Sequence, residues 1–314
     1  MKIKDLVVGQ PFAISLVVKS SEIKTTRNNK PYLLADFIDG HTNIQSNIWD
    51  WTKPPILPNT IVDLEGTVTE YQGTPQLSIS YIQPNTTLRL SDFAPQGDFD
   101  LDTYVSTAKT IYESFKSQTL KDIVSRVFKD NSDLWKITPG AKTIHHAFVA
   151  GTLKHSVDVA RSATELAKLY PDQCCIELCT AGGLLHDFGK LWTYKLEGVV
   201  IDSTEDGELF DHIAIGIKEL EKYKDEHNSK IVGLLQHIIA SHHGKLEYGS
   251  PVTPRFLEAF IVNFADNIDA KAQTIRELNS KSKPGDILTQ KEWSLENRKM
   301  FTQKYIQSII LEAP

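Results

Sequence analysis

The segment Leu184-Leu185-His186-Asp187-Phe188-Gly189-Lys190 constrains this chain more than any other. An adjacent histidine and aspartate follow an apolar run and precede Gly-Lys. Side by side they offer an imidazole nitrogen and a carboxylate oxygen to one metal ion, a mixed set that Zn²⁺, Mn²⁺, Fe²⁺ and Co²⁺ all accept. The apolar flank directs the pair toward a protein interior. Burying a charge or an imidazole there costs several kcal/mol unless it is paired or metal-bound. The fold must therefore bring partners to it.

Candidate partners recur in apolar surroundings. His155 follows Gly151-Thr152-Leu153-Lys154, and His212 sits in Phe210-Asp211-His212-Ile213-Ala214-Ile215-Gly216. The doublet His242-His243 ends a helix that begins near Ser229, and Asp266 lies in Asn263-Phe264-Ala265-Asp266-Asn267-Ile268-Asp269-Ala270. Taken singly, each histidine reads as a hydrogen-bonded core or surface residue, and Asp266 as a salt-bridge partner. A shared metal accounts for all of them together.

The 314 residues suggest about two domains. Residues 1–90 read as a barrel. Strand patterns run over Val7–Val18, Pro31–Ile38, Asn43–Trp49, Ile61–Thr69 and Gln76–Ile82, with turns at Asp39-Gly40 and Tyr71-Gln72-Gly73-Thr74-Pro75. Five short strands in some 80 residues point to a small antiparallel barrel. Residues 91–102 read as a linker. From residue 103 to 314 the period is helical, beginning with Tyr104, Ala108, Ile111, Tyr112 and Phe115 and interrupted at Ser280–Gly285. Lys291–Leu311 again reads as helix. The fold class expected is multidomain α+β, a small β-barrel followed by an all-α bundle.

Residues 1–90 carry eight basic and eight acidic side chains, so the net charge of -6 lies wholly in the remainder. An acidic segment that binds anionic phosphates needs metal ions to mask its charge. Cys174, Cys175 and Cys179 cluster in one expected helix and read as reduced, buried thiols, without CxxC spacing. An odd cysteine count and a polar N-terminus, Met1-Lys2-Ile3-Lys4-Asp5, fit the cytoplasm. No apolar run is long enough to suggest a membrane span.

The order His, His-Asp, His, His, Asp across helical segments resembles the HD-domain metal-dependent phosphohydrolases. The blocks HDFGK, DHIAIG and FADNIDA are similar too, and the likeness runs from about His145 to Ala270. The resemblance implies that His155, His186, Asp187 and Asp266 hold one divalent ion. It implies that His212 and His242, with Asp187 bridging, hold a second, and leaves open whether His243 replaces His242. Such ions supply hydroxide at neutral pH and charge neutralisation, with Mn²⁺ the first expectation and Co²⁺, Fe²⁺ or Zn²⁺ the alternatives. Lys190 is spaced to reach a substrate phosphate. His145 and His146, ten and nine positions before His155, cannot both share its face; one of them is expected to line the substrate cleft.

The segment Lys30–Gly40 followed by Ile44–Trp49 resembles nucleic-acid-binding OB folds, barrels that stack bases on aromatics beside basic residues. Phe37 and Trp49 read first as barrel core. Tyr32, Trp51 and Tyr71 are available for stacking, with Lys24, Arg27 and Lys30 in the adjoining loop. Such a barrel before an HD domain resembles the YhaM-type 3′–5′ exoribonucleases, and Pro139–Gly151 is similar to that family's entry into the HD domain. The resemblance implies hydrolysis of single-stranded RNA, with single-stranded DNA as a second substrate, from the 3′ end to nucleoside 5′-monophosphates. The alternatives are an HD-type nucleotide phosphohydrolase with a regulatory barrel, and a nucleic-acid-binding protein with a structural metal site. The sequence leaves open the native metal, how many ions bind, RNA over DNA preference, and whether the chain forms homo-oligomers.

Overall fold

A computed structural model describes residues 2–71, 74–142 and 146–312, which divide into two compact units. The first comprises residues 1–98 together with 196–202. Its strands are β1 (Pro11–Thr25), β2 (Pro31–Ile38), β3 (Asn43–Trp49), β4 (Ile61–Tyr71) and β5 (Thr74–Pro84). They form an antiparallel sheet in the order β3-β2-β1-β4-β5. The edge strands β3 and β5 pack against each other, and Ser46 Oγ of β3 donates to the Leu77 carbonyl of β5. The sheet thus curls into the partly open five-stranded form of an OB-like barrel. Alternation explains the interior: Leu16, Val18, Leu33, Ala35, Phe37, Val62, Leu64 and Leu77 share one buried cluster. The curl needs bulges, one between Val18 and Ser20 and one at Glu65/Gly66. A Cβ on Gly66 would stand 2.0 Å from the Ser78 carbonyl oxygen, so only glycine fits.

Leu90–Phe93 forms a 3-10 turn whose Phe93 is buried with Val17, Ile38, Ile61 and Val199. Val199 belongs to a hairpin, β6 (Tyr194–Glu197) and β7 (Val200–Ser203), within the stretch expected to be helical throughout. Four-residue strands lie below the length at which alternation can be read against a helical background.

The second unit comprises residues 99–195 and 203–314. Its helices are α1 (Leu101–Glu113), α2 (Gln118–Asp130), α3 (Ser132–Ile137), α4 (Gly151–Ala167), α5 (Ile176–Leu185), α6 (Lys190–Thr193), α7 (Glu205–Glu221), α8 (Ser229–Ser241), α9 (Leu257–Lys281) and α10 (Gln303–Glu312). Their starts follow local chemistry. Asp100 caps α1 by accepting from Thr103 N–H at 2.8 Å, and Thr204 caps α7 by accepting from Gly207 N–H at 2.9 Å. Helices α4, α5 and α9 form the centre, with Leu153, Val157, Ala160, Ala181, Leu184, Leu185, Val262 and Ala265 in one core. Small residues on α4 and α5 let these helices approach closely. Phe188, fully buried, lies 6.2 Å from Trp135, which itself stacks on Phe128 at 4.4 Å.

Two helix expectations are corrected. Of the helix expected over Lys291–Leu311 only α10 forms, and the residues before it hold a 3-10 turn at Trp293–Leu295 and the isolated bridges Leu288–Phe301 and Glu292–Arg298. Cys174 and Cys175 precede α5, which contains Cys179 alone; Cys179 is buried, Cys174 intermediate and Cys175 exposed. Among the described residues no helix is long and apolar enough to cross a membrane.

Replacing Phe188 by Ala is expected to cost roughly 3–5 kcal/mol, as for large aromatics truncated in a core. Urea unfolding followed by tryptophan fluorescence measures it, and a loss under about 1 kcal/mol would contradict the packing assigned to Phe188.

Candidate metal centre and nucleic-acid interface

Five helices of the second unit converge on Asp187. His155 comes from the first turns of α4 and His186 from the C-terminal end of α5. His212 comes from α7, His242 and His243 from the end of α8, and Asp266 from α9. His155, His186, Asp187, His212 and His242 are buried.

One donor group gathers around Asp187 Oδ2. His155 Nε2 lies 3.3 Å from it, 3.1 Å from Asp266 Oδ1 and 3.1 Å from His186 Nε2. His186 Nε2 is 3.4 Å from Asp187 Oδ2 and 3.7 Å from Asp266 Oδ1. A second group gathers around Asp187 Oδ1, with His242 Nε2 at 3.5 Å and His212 Nε2 at 3.6 Å. Ligand atoms of His212, His242 and His243 all lie within 4.8 Å of one another, a spacing from which they could hold one ion. Donors held about 2.0–2.2 Å from one ion stand roughly 3–3.5 Å apart, and the contacts of His155 Nε2 with Asp187, Asp266 and His186 fall in that range.

The tautomers follow from what lies behind each ring. His186 Nδ1 faces the Gly183 carbonyl at 2.9 Å, His242 Nδ1 that of Ile239 at 2.7 Å, and His243 Nδ1 that of Tyr248 at 2.8 Å. Carbonyls only accept, so each Nδ1 carries its proton and each ring turns its Nε2 inward. His155 Nδ1 faces Asp269 Oδ2 at 2.7 Å and His212 Nδ1 faces Asp211 Oδ1 at 2.6 Å. Outer hydrogen bonds of this kind orient metal-binding histidines.

The electrostatics call for a cation. Among the described residues, Asp187 Oδ1, His212 Nε2 and His242 Nε2 are buried without a hydrogen-bond partner. Burial opposes ionising Asp187, but Lys190, His186 and His155 overcome it and hold its carboxyl well below the usual range. Burial likewise opposes charging His155, and Asp187, Asp266 and Asp269 around it raise its pKa well above an ordinary histidine's. Burial lowers His242, and burial with the neighbouring His242 pushes His243 down to about 4. The residues therefore fit divalent metal: carboxylate oxygens and ring nitrogens aimed at common points, three of these atoms buried without a hydrogen-bond partner.

The HDFGK segment is held by contact as well as by charge. A Cβ on Gly189 would stand 1.8 Å from the His212 carbonyl oxygen. Lys190 Nζ lies 2.7 Å from Asp187 Oδ2, where burial lowers and Asp187 more than restores its proton affinity. His146 is placed behind the ligands rather than in a cleft: it is 1% exposed, with Nε2 2.8 Å from Asp269 Oδ2. His145 lies outside the described residues. Sequence reading misses Asp269 and Asp211. The signals were present, since Asp269 stands one helical turn after Asp266 and Asp211 directly precedes His212.

On the first unit, Tyr32 of β2 pairs across the strands with Trp49 of β3, ring centroids 5.1 Å apart. Trp49 is 61% exposed, which corrects its placement in the barrel core; Phe37 is buried there. Along β3 it is Ile44, Ser46 and Ile48 that point inward, so Trp49 falls on the outer face. Trp51 is half-buried, its Nε1–H donating to the Pro54 carbonyl at 3.1 Å. Lys30 and Tyr71 are exposed, and Lys24 Nζ pairs with Glu22 at 2.6 Å.

The HD domain family matches residues 152–271, which include every donor named above. The 3′-5′ exoribonuclease YhaM of Bacillus subtilis is 33% identical over 94% of this chain and 95% of its own length. The protein of the same name from Bacillus licheniformis is 32% identical over the same shares. A chain from a structure of a replication protein A heterotrimer bound to ssDNA is 18% identical, covering 27% of this chain and 63% of its own. Its TM-score of 0.22 is too low to carry an argument. Length, identity and the intact set of donors converge, and the chain belongs to the YhaM family of 3′–5′ exoribonucleases.

Proposed function

We propose that this protein removes nucleotides from the 3′ end of single-stranded RNA, with single-stranded DNA as a second substrate, releasing nucleoside 5′-monophosphates. The observation that carries the reading is the convergence of anchored imidazoles and carboxylates on Asp187, in a chain related to 3′–5′ exoribonucleases over nearly its whole length. His155, His186, Asp187 and Asp266 are assigned to one divalent ion, and Asp187, His212, His242 and His243 to a second. When bound, the ions supply hydroxide at neutral pH and neutralise charge on the phosphoryl oxygens. Manganese suits this mixture of nitrogen and carboxylate donors, with cobalt, iron and zinc as alternatives.

The chain's own groups do the rest. Asp187 gives one oxygen to each donor group and so fixes their relation. Asp269 and Asp211 keep the outer nitrogens of His155 and His212 protonated, which leaves the inner lone pairs for the metal. Lys190 is assigned to a non-bridging phosphate oxygen, the cation nearest the donors and held charged by Asp187. On the barrel, Trp49 and Tyr32 are assigned as a stacking surface for two bases, flanked by Lys30, with Trp51 beside them. The free thiols support a cytoplasmic setting.

The test is a 5′-labelled single-stranded RNA incubated with Mn²⁺. The expected result is stepwise shortening from the 3′ end with release of nucleoside 5′-monophosphates, stopped by EDTA. Hydrolysis confined to free nucleotides would refute the reading. Asp187→Ala should abolish turnover while oligonucleotide affinity stays within about threefold. A variant that retained hydrolysis would overturn the metal assignment.

A second measurement addresses the barrel. Trp49→Ala should weaken RNA binding roughly 5–150-fold, the equivalent of one stacked base. Fluorescence anisotropy reads this directly, and unchanged affinity would remove Trp49 from the binding surface.

A further inference from the structure

Helix α7 is broken one residue before a donor. Asp211 has φ 58° and ψ 165° inside an otherwise helical run. That region of backbone space is occupied almost only by glycine, and a strained residue persists where its surroundings over-determine it. The surroundings here are specific. Asp211 Oδ1 accepts from the His212 backbone N–H at 2.5 Å and from His212 Nδ1–H at 2.6 Å. The His212 carbonyl oxygen in turn sits against Gly189, where no Cβ could stand. The residue is thus held through its backbone and through Nδ1, with its Nε2 toward Asp187 Oδ1 at 3.6 Å and its ring 5.2 Å from that of His243.

The other donors are anchored differently. His186, His242 and His243 rest on backbone carbonyls, and His155 rests on Asp269, which His146 also holds. The supports of His155, His186 and His242 lie within the packed helices, and that of His243 in the 3-10 turn Leu246–Tyr248. His212 is supported by an aspartate whose side chain is 71% exposed, while its own is 7% exposed. An unbroken helix would give position 211 no reason to leave helical geometry, and its carboxylate would point to solvent.

We infer that Asp211 is the positioning residue of the second metal site: its carboxylate sets the tautomer and aim of His212, and the backbone strain at 211 is retained for that purpose. The inference rests on the assignment of His212 as a metal ligand. It locates the adjustable part of the centre in the second donor group, since the first depends on no exposed anchor among the described residues.

The test titrates Mn²⁺ alone into metal-stripped full-length protein by calorimetry, alongside thermal unfolding of the metal-free variants. Asp211→Ala removes the carboxylate and keeps a side chain in the strained conformation. Asp211→Gly removes the carboxylate and relieves the strain. Both should lose about 10–100-fold in one Mn²⁺ step and leave the other unchanged, the size of loss found when outer partners are removed. The glycine variant should melt above the alanine variant. Asp211→Asn keeps an acceptor oxygen and should lose less than Asp211→Ala. Wild-type affinity in Asp211→Gly would show that backbone geometry alone positions His212, and wild-type affinity in Asp211→Ala would show that the carboxylate is idle; either overturns the inference while the metal reading stands. His212→Ala should lose the same step. If it bound Mn²⁺ like the wild type, the ligand assignment would fall and the inference with it.

Discussion

Everything in the second unit is arranged around one costly act, the burial of Asp187 among imidazole lone pairs. A carboxylate and the ring nitrogens gathered around it lie 3.1–3.6 Å apart in neighbouring pairs inside a helical core. In isolation such an arrangement is strongly unfavourable. A divalent cation turns the same repulsions into attractions. The geometry is informative in a way that a surface cluster of histidines is not, because Lys190 balances one oxygen of Asp187 while the other oxygen and the Nε2 atoms of His212 and His242 stay buried without a hydrogen-bond partner.

Holding repelling groups together requires a rigid frame, and the helices provide it by simple means. Small residues draw α4, α5 and α9 close, so that ligands from three helices reach one point. Phe188 drives a large apolar side chain into the core directly beside Asp187, which converts hydrophobic burial into positional restraint. Gly189 admits the His212 backbone at a distance no other residue tolerates. The outer hydrogen bonds then settle which ring nitrogen carries the proton. The barrel follows a separate logic, with a β-branched and aliphatic interior and an aromatic pair left outside on β2 and β3.

Much of this was legible in the sequence, for physical reasons. Buried side chains recur at every second residue over most of Pro31–Ile38 and throughout Asn43–Trp49, so the limits of these strands could be read to the residue. The donors His155, His186, Asp187, His212, His242 and Asp266 stood out as polar groups in apolar company, which is the mark of a buried site. What escaped was decided by tertiary context. Trp49 lies on the outer face, and composition alone assigns an aromatic in a strand to the core. The β6–β7 hairpin is too short to display a period, and residues 291–302 carry apolar side chains without adopting a helix. Asp269 and Asp211 matter through what they hold, and a sequence records a support less plainly than a ligand. His146 shows the converse, a residue that sequence spacing offered to the substrate and that folding placed behind His155.

The measurement closest to the centre of this account is a crystal structure of Mn²⁺-loaded protein with anomalous scattering recorded near the manganese edge. Two peaks are expected in the second unit, one among His155, His186, Asp187 and Asp266 and the other among Asp187, His212, His242 and His243, with one oxygen of Asp187 on each. Peaks lying away from these residues, or an Asp187 that touches no ion, would contradict it.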